Sequence, residues 1–175
     1  MPRLSIPLNY NWIETYVDGD RIEATNGKTT LPAMKHLSFE KTLPGGQSNY
    51  PSPRFEAFEG TVVAMMPTSD ALIYAMSSNQ IKKLSIQAGY QEENVQTGML
   101  SDHTIVFDMD VTFSGIDAQS LEPNAEGEIP MMYDAKSIKV SVDSVVIINI
   151  DKRDGTNVIN NSDLALLARL AYGGF

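Results

Sequence analysis

Between His103 and Ser114 the chain alternates strictly: Ile105, Phe107, Met109, Val111 and Phe113 fall on one side, and Val106, Asp108, Asp110, Thr112 and Ser114 on the other. Successive residues of an extended chain point to opposite faces, so this pattern fits a strand with one face in a core and one in water. The stretch from Ala135 to Asp151 repeats it, with Ile138, Val140 and Val142 opposing Lys139, Ser141 and Asp143. Val145 to Ile148 then turns apolar on both faces, which predicts burial against another layer or another subunit.

The remaining signals agree with a strand-rich fold. Trp12 to Val17, then Asp18-Gly19, then Arg21 to Ala24 read as a short hairpin, because Asp-Gly supplies the positive φ such a turn needs. Met34 to Thr42 and Phe55 to Met66 flank a stretch, Leu43 to Pro53, that carries three prolines and two glycines. It predicts a long inter-strand loop across which the two runs pair; loops of that length are usually functional or disordered, and with nothing catalytic in it this one is a candidate for a contact role. Pro67-Thr68-Ser69-Asp70 ends a strand and caps a short helix to about Ser78, with Leu72, Ile73 and Met76 on one face. Lys83 to Tyr90 opens another hairpin that turns at Glu92-Glu93-Asn94. At the end, Ser162 or Asp163 caps a helix with Leu164, Leu167, Ala168 and Ala171 on one stripe, and Gly173 suits its C-terminus. The expected fold is mainly β, an antiparallel β-sandwich or half-barrel with a short central helix and a C-terminal helix. It forms one domain over residues 1–175, with no internal repeat and with 1–15 as an extended N-terminal arm.

Composition narrows the function. A chain of 175 residues is long enough for a core without staples, and it has no cysteine, which removes disulfide scaffolds, thiolate catalysis, zinc knuckles and iron–sulfur ligation. Thirteen basic residues against 22 acidic ones give a net charge of −9, and no Lys/Arg block exists, so binding driven by phosphate neutralisation is disfavoured. Met1 to Leu8, interrupted by Pro2 and Pro7, is too short for a signal peptide or a membrane helix, so a soluble cytoplasmic protein without membrane binding is expected. Asn160-Asn161-Ser162 matches a glycosylation pattern but lacks a secretory context.

Candidate chemistry fails on spacing. The run from Asp151 to Asp163 looks like a calcium loop leading into a helix. Taking Gly155 as its sixth position puts Ile150 at one and Lys152 at three, and taking Asp163 as the last ligand puts Lys152 at one; neither residue can supply an oxygen ligand. Asp108 and Asp110 form an Asp-x-Asp pair about 6–7 Å apart on one strand face. No phosphate cradle or third ligand accompanies them, and a solvated face explains them. His36 and His103 are the only histidines; Ser101-Asp102-His103, read as adjacent residues, sends neighbours to opposite faces and makes no nucleophile–base line. The aromatic residues are scattered rather than spaced as a stacking platform. No catalytic residue, metal or cofactor is expected, and an enzyme is the least supported class.

The order of elements carries more. Tyr16-Val17-Asp18-Gly19, Thr30-Leu31-Pro32-Ala33-Met34 leading into a strand, Gly45-Gly46, Gly89-Tyr90-Gln91-Glu92-Glu93, a long strand pair, and Val158 to Leu167 before a terminal Ala-Tyr-Gly-Gly-Phe follow one another. This order resembles the tube protein of contractile phage tails, the major tail tube family of myophages, from about Tyr16 to Phe175. The resemblance implies a subunit that joins five copies of itself in a hexameric ring, completing a large β-barrel. Rings stack into a hollow tube inside a contractile sheath. Implied partners are the sheath, baseplate and tail terminator proteins, with the tape measure protein and DNA in the lumen. The implied location is the virion tail, assembled in the host bacterial cytoplasm.

Within that frame the polar strand faces are expected to line the lumen, through Asp108, Asp110, Ser141 and Asp143, with Lys139 as a discordant cation in an otherwise acidic wall. The segment Leu43, Pro44, Gly45, Gly46, Gln47, Ser48, Asn49, Tyr50 is expected to stack ring on ring, and Leu164, Leu167, Ala168 and Ala171 to make subunit contacts. Two other readings stand beside this one. A tube protein of a phage-derived contractile injector or type VI secretion system has the same physics, and a monomeric small-ligand-binding β-barrel predicts a solitary 19.2 kDa species.

Overall fold

A computed structural model describes residues 5–22, 29–65, 79–116, 128–160 and 162–163, with Ile73 and Met76. The strands among them are β1 (Ser5–Val17), β2 (Asp20–Ile22), β3 (His36–Leu43), β4 (Gly46–Phe55), β5 (Phe58–Met65), β6 (Lys82–Asn94), β7 (Leu100–Ile116), β8 (Glu128–Val142), β9 (Val145–Asp151), β10 (Thr156–Ile159) and β11 (Ser162–Asp163). One antiparallel sheet runs β11-β10-β9-β8-β7-β6-β1-β2, with β5 also paired to β8, and β3 and β4 make a separate two-stranded ribbon. The mainly β, antiparallel fold expected from the alternation is therefore what the chain adopts.

The alternation also places the core. Met109, Val111 and Phe113 of β7 are buried, with Ile105 and Phe107 packed against them, while Asp108 and Ser114 are exposed. Facing strands add Leu84 and Ile86 from β6, Met131, Tyr133, Ala135, Ile138 and Val140 from β8, and Phe58, Val62 and Ala64 from β5. Burying each of the Val, Leu, Ile, Met and Phe side chains among them contributes about 1.5–3 kcal/mol. Between Ser137 and Ala135 the β7–β8 register slips by one residue, so Lys136 is the extra residue of a bulge and both halves of β8 keep their apolar side inward. Gly60 is required here: a side-chain carbon on it would run into the Tyr133 ring and lie 2.7 Å from the Thr30 carbonyl oxygen. Tyr133 uses that closeness, its hydroxyl donating to the same carbonyl at 3.2 Å, and burial holds the phenol well above its usual pKa.

Turn chemistry explains what matched and what did not. The Asp18-Gly19 hairpin forms as expected, with φ of 52° and 93° joining β1 to β2. The segment 43–53 is not a loop. Pro44-Gly45 make a tight turn, Leu43 pairs with Gly46, and the rest is β4, paired back on β3 through Tyr50–Phe39 and Pro51–Ser38. A strand bonded along one edge needs only every second N–H, so the prolines are tolerated. Consequently β5 does not pair across this stretch but with β8, from Phe58–Ala135 to Met65–Glu128. The turn placed at Glu92-Glu93-Asn94 begins at Asn94, whose side-chain oxygen accepts from the Gln96 and Thr97 amides at 2.9 and 3.2 Å. The single strand expected over Ala135–Asp151 is a hairpin, because Asp143 and Ser144 take φ of 48° and 68° between β8 and β9. The segment expected as an N-terminal arm is paired from Ser5, β1 running along β6.

The helices fall largely outside the described residues. Ile73 and Met76 are helical and exposed; the rest of the short helix, and Leu164, Leu167, Ala168 and Ala171 of the terminal one, lie beyond them. Ser162 and Asp163, expected as caps, pair with Ile159 and Val158 as β11.

Candidate functional site

Register builds a polar grid on the face away from the core. Lys83, Asp110, Ser137 and Asp151 make one row across β6, β7, β8 and β9, and Ser85, Asp108, Lys139 and Asn149 make the next. Ser85 Oγ donates to Asp108 Oδ1 at 2.8 Å. Arg153, in the turn after β9, reaches back so that Nη2 donates to both Asp110 Oδ2 and Asp151 Oδ2 at 2.6 Å, while Nε donates to Asp151 Oδ1 at 3.0 Å. That guanidinium holds the Asp151 carboxyl below the usual carboxylate range, and Asp151 and then Asp110 raise the guanidinium in turn. Together these side chains line a groove of about 380 Å³ that carries Lys83, Lys139 and Arg153 against Asp108, Asp110 and Asp151. The face is thus charge-balanced rather than uniformly acidic, because antiparallel register sets Lys139 opposite Asp108 and the β9–β10 turn delivers Arg153 to Asp110.

Of the residues expected on this face, Asp108, Asp110 and Lys139 share the groove, and Ser141 sits one row further, beside Val106 and Val146. Asp143 does not join them. It lies in the turn beyond β8, and its carboxylate accepts from the Thr104 amide at 3.0 Å and contacts His103 Nδ1 at 2.6 Å. Ser101 Oγ lies 3.1 Å from His103 Nε2, so serine, histidine and aspartate do form a line. Sequence reasoning missed it because Ser101 and His103, two apart, share a strand face, while the Asp143 turn was read as strand. Asp143, and beside it Glu92 and Asp102, raise the His103 pKa.

Two further surfaces belong to the site. The β3–β4 ribbon carries the stacking candidates Leu43 to Tyr50 at and beside its turn, and Leu37 and Tyr50 are exposed on it. At the other end, the run apolar on both faces finds no second layer among the described residues: Val145 is 67 % exposed, and Val146 and Ile147 are exposed beside it. Trp12 covers Gly89, where a side-chain carbon would run into the indole; no sequence signal marked this pairing.

The family model for phage tail tube protein FII matches residues 10–173. The chain belongs to that family. Its role is that of a structural protein of the tail tube. No curated protein sequence matches it. Among solved structures, this tube-family chain is similar to a sheath/tube terminator of the extracellular contractile injection system PVC, at 12 % identity and a TM-score of 0.54, over 78 % of this chain and 97 % of that one. It is also similar to the PVC sheath–tube complex in its extended state, at 12 % identity and 0.53 over 77 % and 91 %, and to the tube-terminating cap of the anti-feeding prophage, at 11 % and 0.55 over 78 % and 91 %. At such identities the likeness is one of fold, and it covers the β architecture described above.

Proposed function

We propose that this chain is the repeating subunit of the inner tube of a contractile tail, closing with five copies of itself into a ring whose rings stack into a conduit for DNA. The family match carries the reading, and two features support it. Among the described residues the sheet is open, its order ending in the short strands β2 and β11, and a subunit that completes its sheet through its neighbours removes such edges. Among the described residues the apolar run Val145–Ile147 is exposed, as is Leu37 of the ribbon, as surfaces that meet other copies would be. In this reading the Asp108–Asp110–Lys139–Ser141 face lines the lumen. Its cations are already faced by carboxylates, which leaves little free positive charge for a passing phosphate. The ribbon around Pro44-Gly45 stacks ring on ring, and the sheath, terminator, baseplate and tape measure proteins complete the particle, assembled in the host cytoplasm.

Electron microscopy of the purified protein is the direct test: rings and hollow tubes are expected, and a monodisperse 19.2 kDa globule at all concentrations would overturn the proposal. Lumen and stacking assignments separate cleanly. Asp108→Lys with Asp110→Lys should leave rings intact and slow DNA release, and unchanged ejection refutes the lumen face. Replacing residues 38–53 by a short turn should leave rings without long tubes; long tubes refute the stacking role. A tube of an injector is the second reading, favoured by the fold likeness to injection-system components. Native particles that contain no DNA select it.

A further inference from the structure

We propose that the Ser101–His103–Asp143 line is a proton-operated clamp on the β8–β9 turn, and through it on the apolar run Val145–Ile147 that a second copy of this chain covers. The clamp stands on the geometry of one chain; only the covering copy rests on the tube reading above.

The turn needs holding. Asp143 and Ser144 both take the positive φ that side-chain-bearing residues disfavour, in a two-residue turn that usually recruits glycine or asparagine. What holds it is β7. The Asp143 amide donates to the Thr104 carbonyl at 2.9 Å, its Oδ1 accepts from the Thr104 amide at 3.0 Å, and its Oδ2 meets His103 Nδ1 at 2.6 Å. The next three residues along the chain are the exposed Val145, Val146 and Ile147. They are held by the β8–β9 ladder, which pairs Val145 with Val142 and Val146 with Ser141, and by the Asn160 amide on the Ile147 carbonyl, and the turn that His103 grips through Asp143 sets where that ladder begins.

The groups facing His103 define how a proton acts. From β6, the Tyr90 ring stacks on it with centroids 5.5 Å apart, and Glu92 Oε2 lies 4.0 Å from Nε2. From β7 come Ser101 and Asp102, the latter also bonded to Gln91 at 2.8 Å, and from the turn comes Asp143. With the ring protonated, Nδ1–H donates to Asp143 and Nε2–H to Ser101 Oγ, whose own hydrogen can go to the Glu92 carbonyl 3.5 Å away. With the ring neutral, Nδ1–H still serves Asp143, but the Ser101 hydroxyl must turn to donate to Nε2, and its bond to the Glu92 carbonyl is lost. Three carboxylates, Glu92, Asp102 and Asp143, then surround a ring that no longer carries charge.

The pH window follows from two opposite shifts. Asp143, then Glu92 and Asp102, raise the His103 pKa, so its contribution is complete below the ordinary histidine value of about 6.5 and is lost as pH rises through the higher folded value. His103, then the Thr104 amide, lower the Asp143 pKa, so its contribution is present above about 3.9 and is lost as pH falls through the depressed value. The clamp is tightest between about pH 4 and 6.5 and loosens on the alkaline side.

The experiment uses the full chain, with hydrogen exchange corrected for intrinsic pH dependence, alongside NMR titration of the imidazole and sedimentation. Protection of residues 143–147 should fall between pH 6 and 8.5, by up to about tenfold for each unit that the His103 midpoint stands above 6.5. His103→Gln should show low protection at both values, with no such fall. In Asp143→Asn the imidazole midpoint should drop. Protection that is flat with pH in the unaltered chain, or that falls equally in His103→Gln, overturns the clamp, as does a His103 midpoint at or below 6.5. Tubes that form equally at pH 6 and 8.5 while protection falls overturn the link to the covering copy. Absence of rings at every pH, with the fall in protection present, leaves the clamp standing and removes the tube reading instead.

Discussion

The centre of the sheet and the β3–β4 ribbon are built from the same antiparallel ladder, yet they differ in what the ladder is joined to. In the centre, Val111 and Phe113 of β7 stand against Ala135 and Tyr133 of β8, all buried, with the Phe113 and Tyr133 rings meeting edge to face at 6.4 Å. Along the ribbon the described side chains are exposed apart from the half-buried Ser52 and Phe55. It is moored at its base, where His36 stacks on Phe55 at 4.2 Å and Phe55 leans on the buried Phe58 at 5.5 Å. Backbone pairing fixes the path of both regions. Only a second apolar layer makes individual side chains matter for stability, and a lone two-stranded hairpin is marginal without one. Beyond its base, the described side chains of the ribbon are thus exposed rather than packed in the core.

The contrast can be tested by substitution and urea unfolding. Phe113→Ala, which empties a fully buried site, should cost about 3–5 kcal/mol. Gly60→Ala, which forces a carbon against Tyr133 and the Thr30 carbonyl, should cost about 1–3 kcal/mol. Thr15→Val probes the centre from the other direction. Its hydroxyl is fully buried with no hydrogen-bond partner among the described residues, so removing it should raise stability by about 1 kcal/mol. On the ribbon, Leu37→Ala and Tyr50→Ala should each leave the unassembled chain within about 0.5 kcal/mol of the original. A loss above 2 kcal/mol there would mean that the ribbon is part of the core after all. The smallest effect belongs to the polar grid. Arg153 lowers the Asp151 pKa, so the pair's contribution is present above about pH 3.9 and is lost as pH falls through the depressed value. Being partly exposed and screened, it should not exceed about 1 kcal/mol, and Asp151→Asn should remove that portion of the acid sensitivity.

Where period-two patterning met a buried face, the sequence was readable residue by residue: the inward set of β7 and the Asp18-Gly19 turn follow from it directly. Composition misled where it stood in for geometry. The prolines and glycines of 43–53 suggested a loop, although an edge-bonded ribbon accommodates them. Asp143-Ser144 lacks the glycine that marks such turns, so β8 and β9 were read as one strand, and with that the meeting of Asp143 with His103 was hidden. The balanced charge of the grid was equally out of reach. It depends on which residues of four strands lie abreast, and Arg153 joins it from a turn whose direction no local pattern specifies.

One consequence of the sheet's wiring is temporal. Among the described strands β5 pairs along its length only with the first half of β8, and β1, beyond its short hairpin with β2, only with β6, so long spans of chain must be made before either edge is closed. At a synthesis rate of about 5–20 residues per second, β5 would emerge from the ribosome and wait several seconds for its β8 ladder, with the bridge from Thr61 to Thr30 its earlier contact. The order of manufacture thus leaves each new molecule briefly adhesive along one rim, and a cell that makes many copies at once must bring that interval to an end before neighbours find one another out of turn.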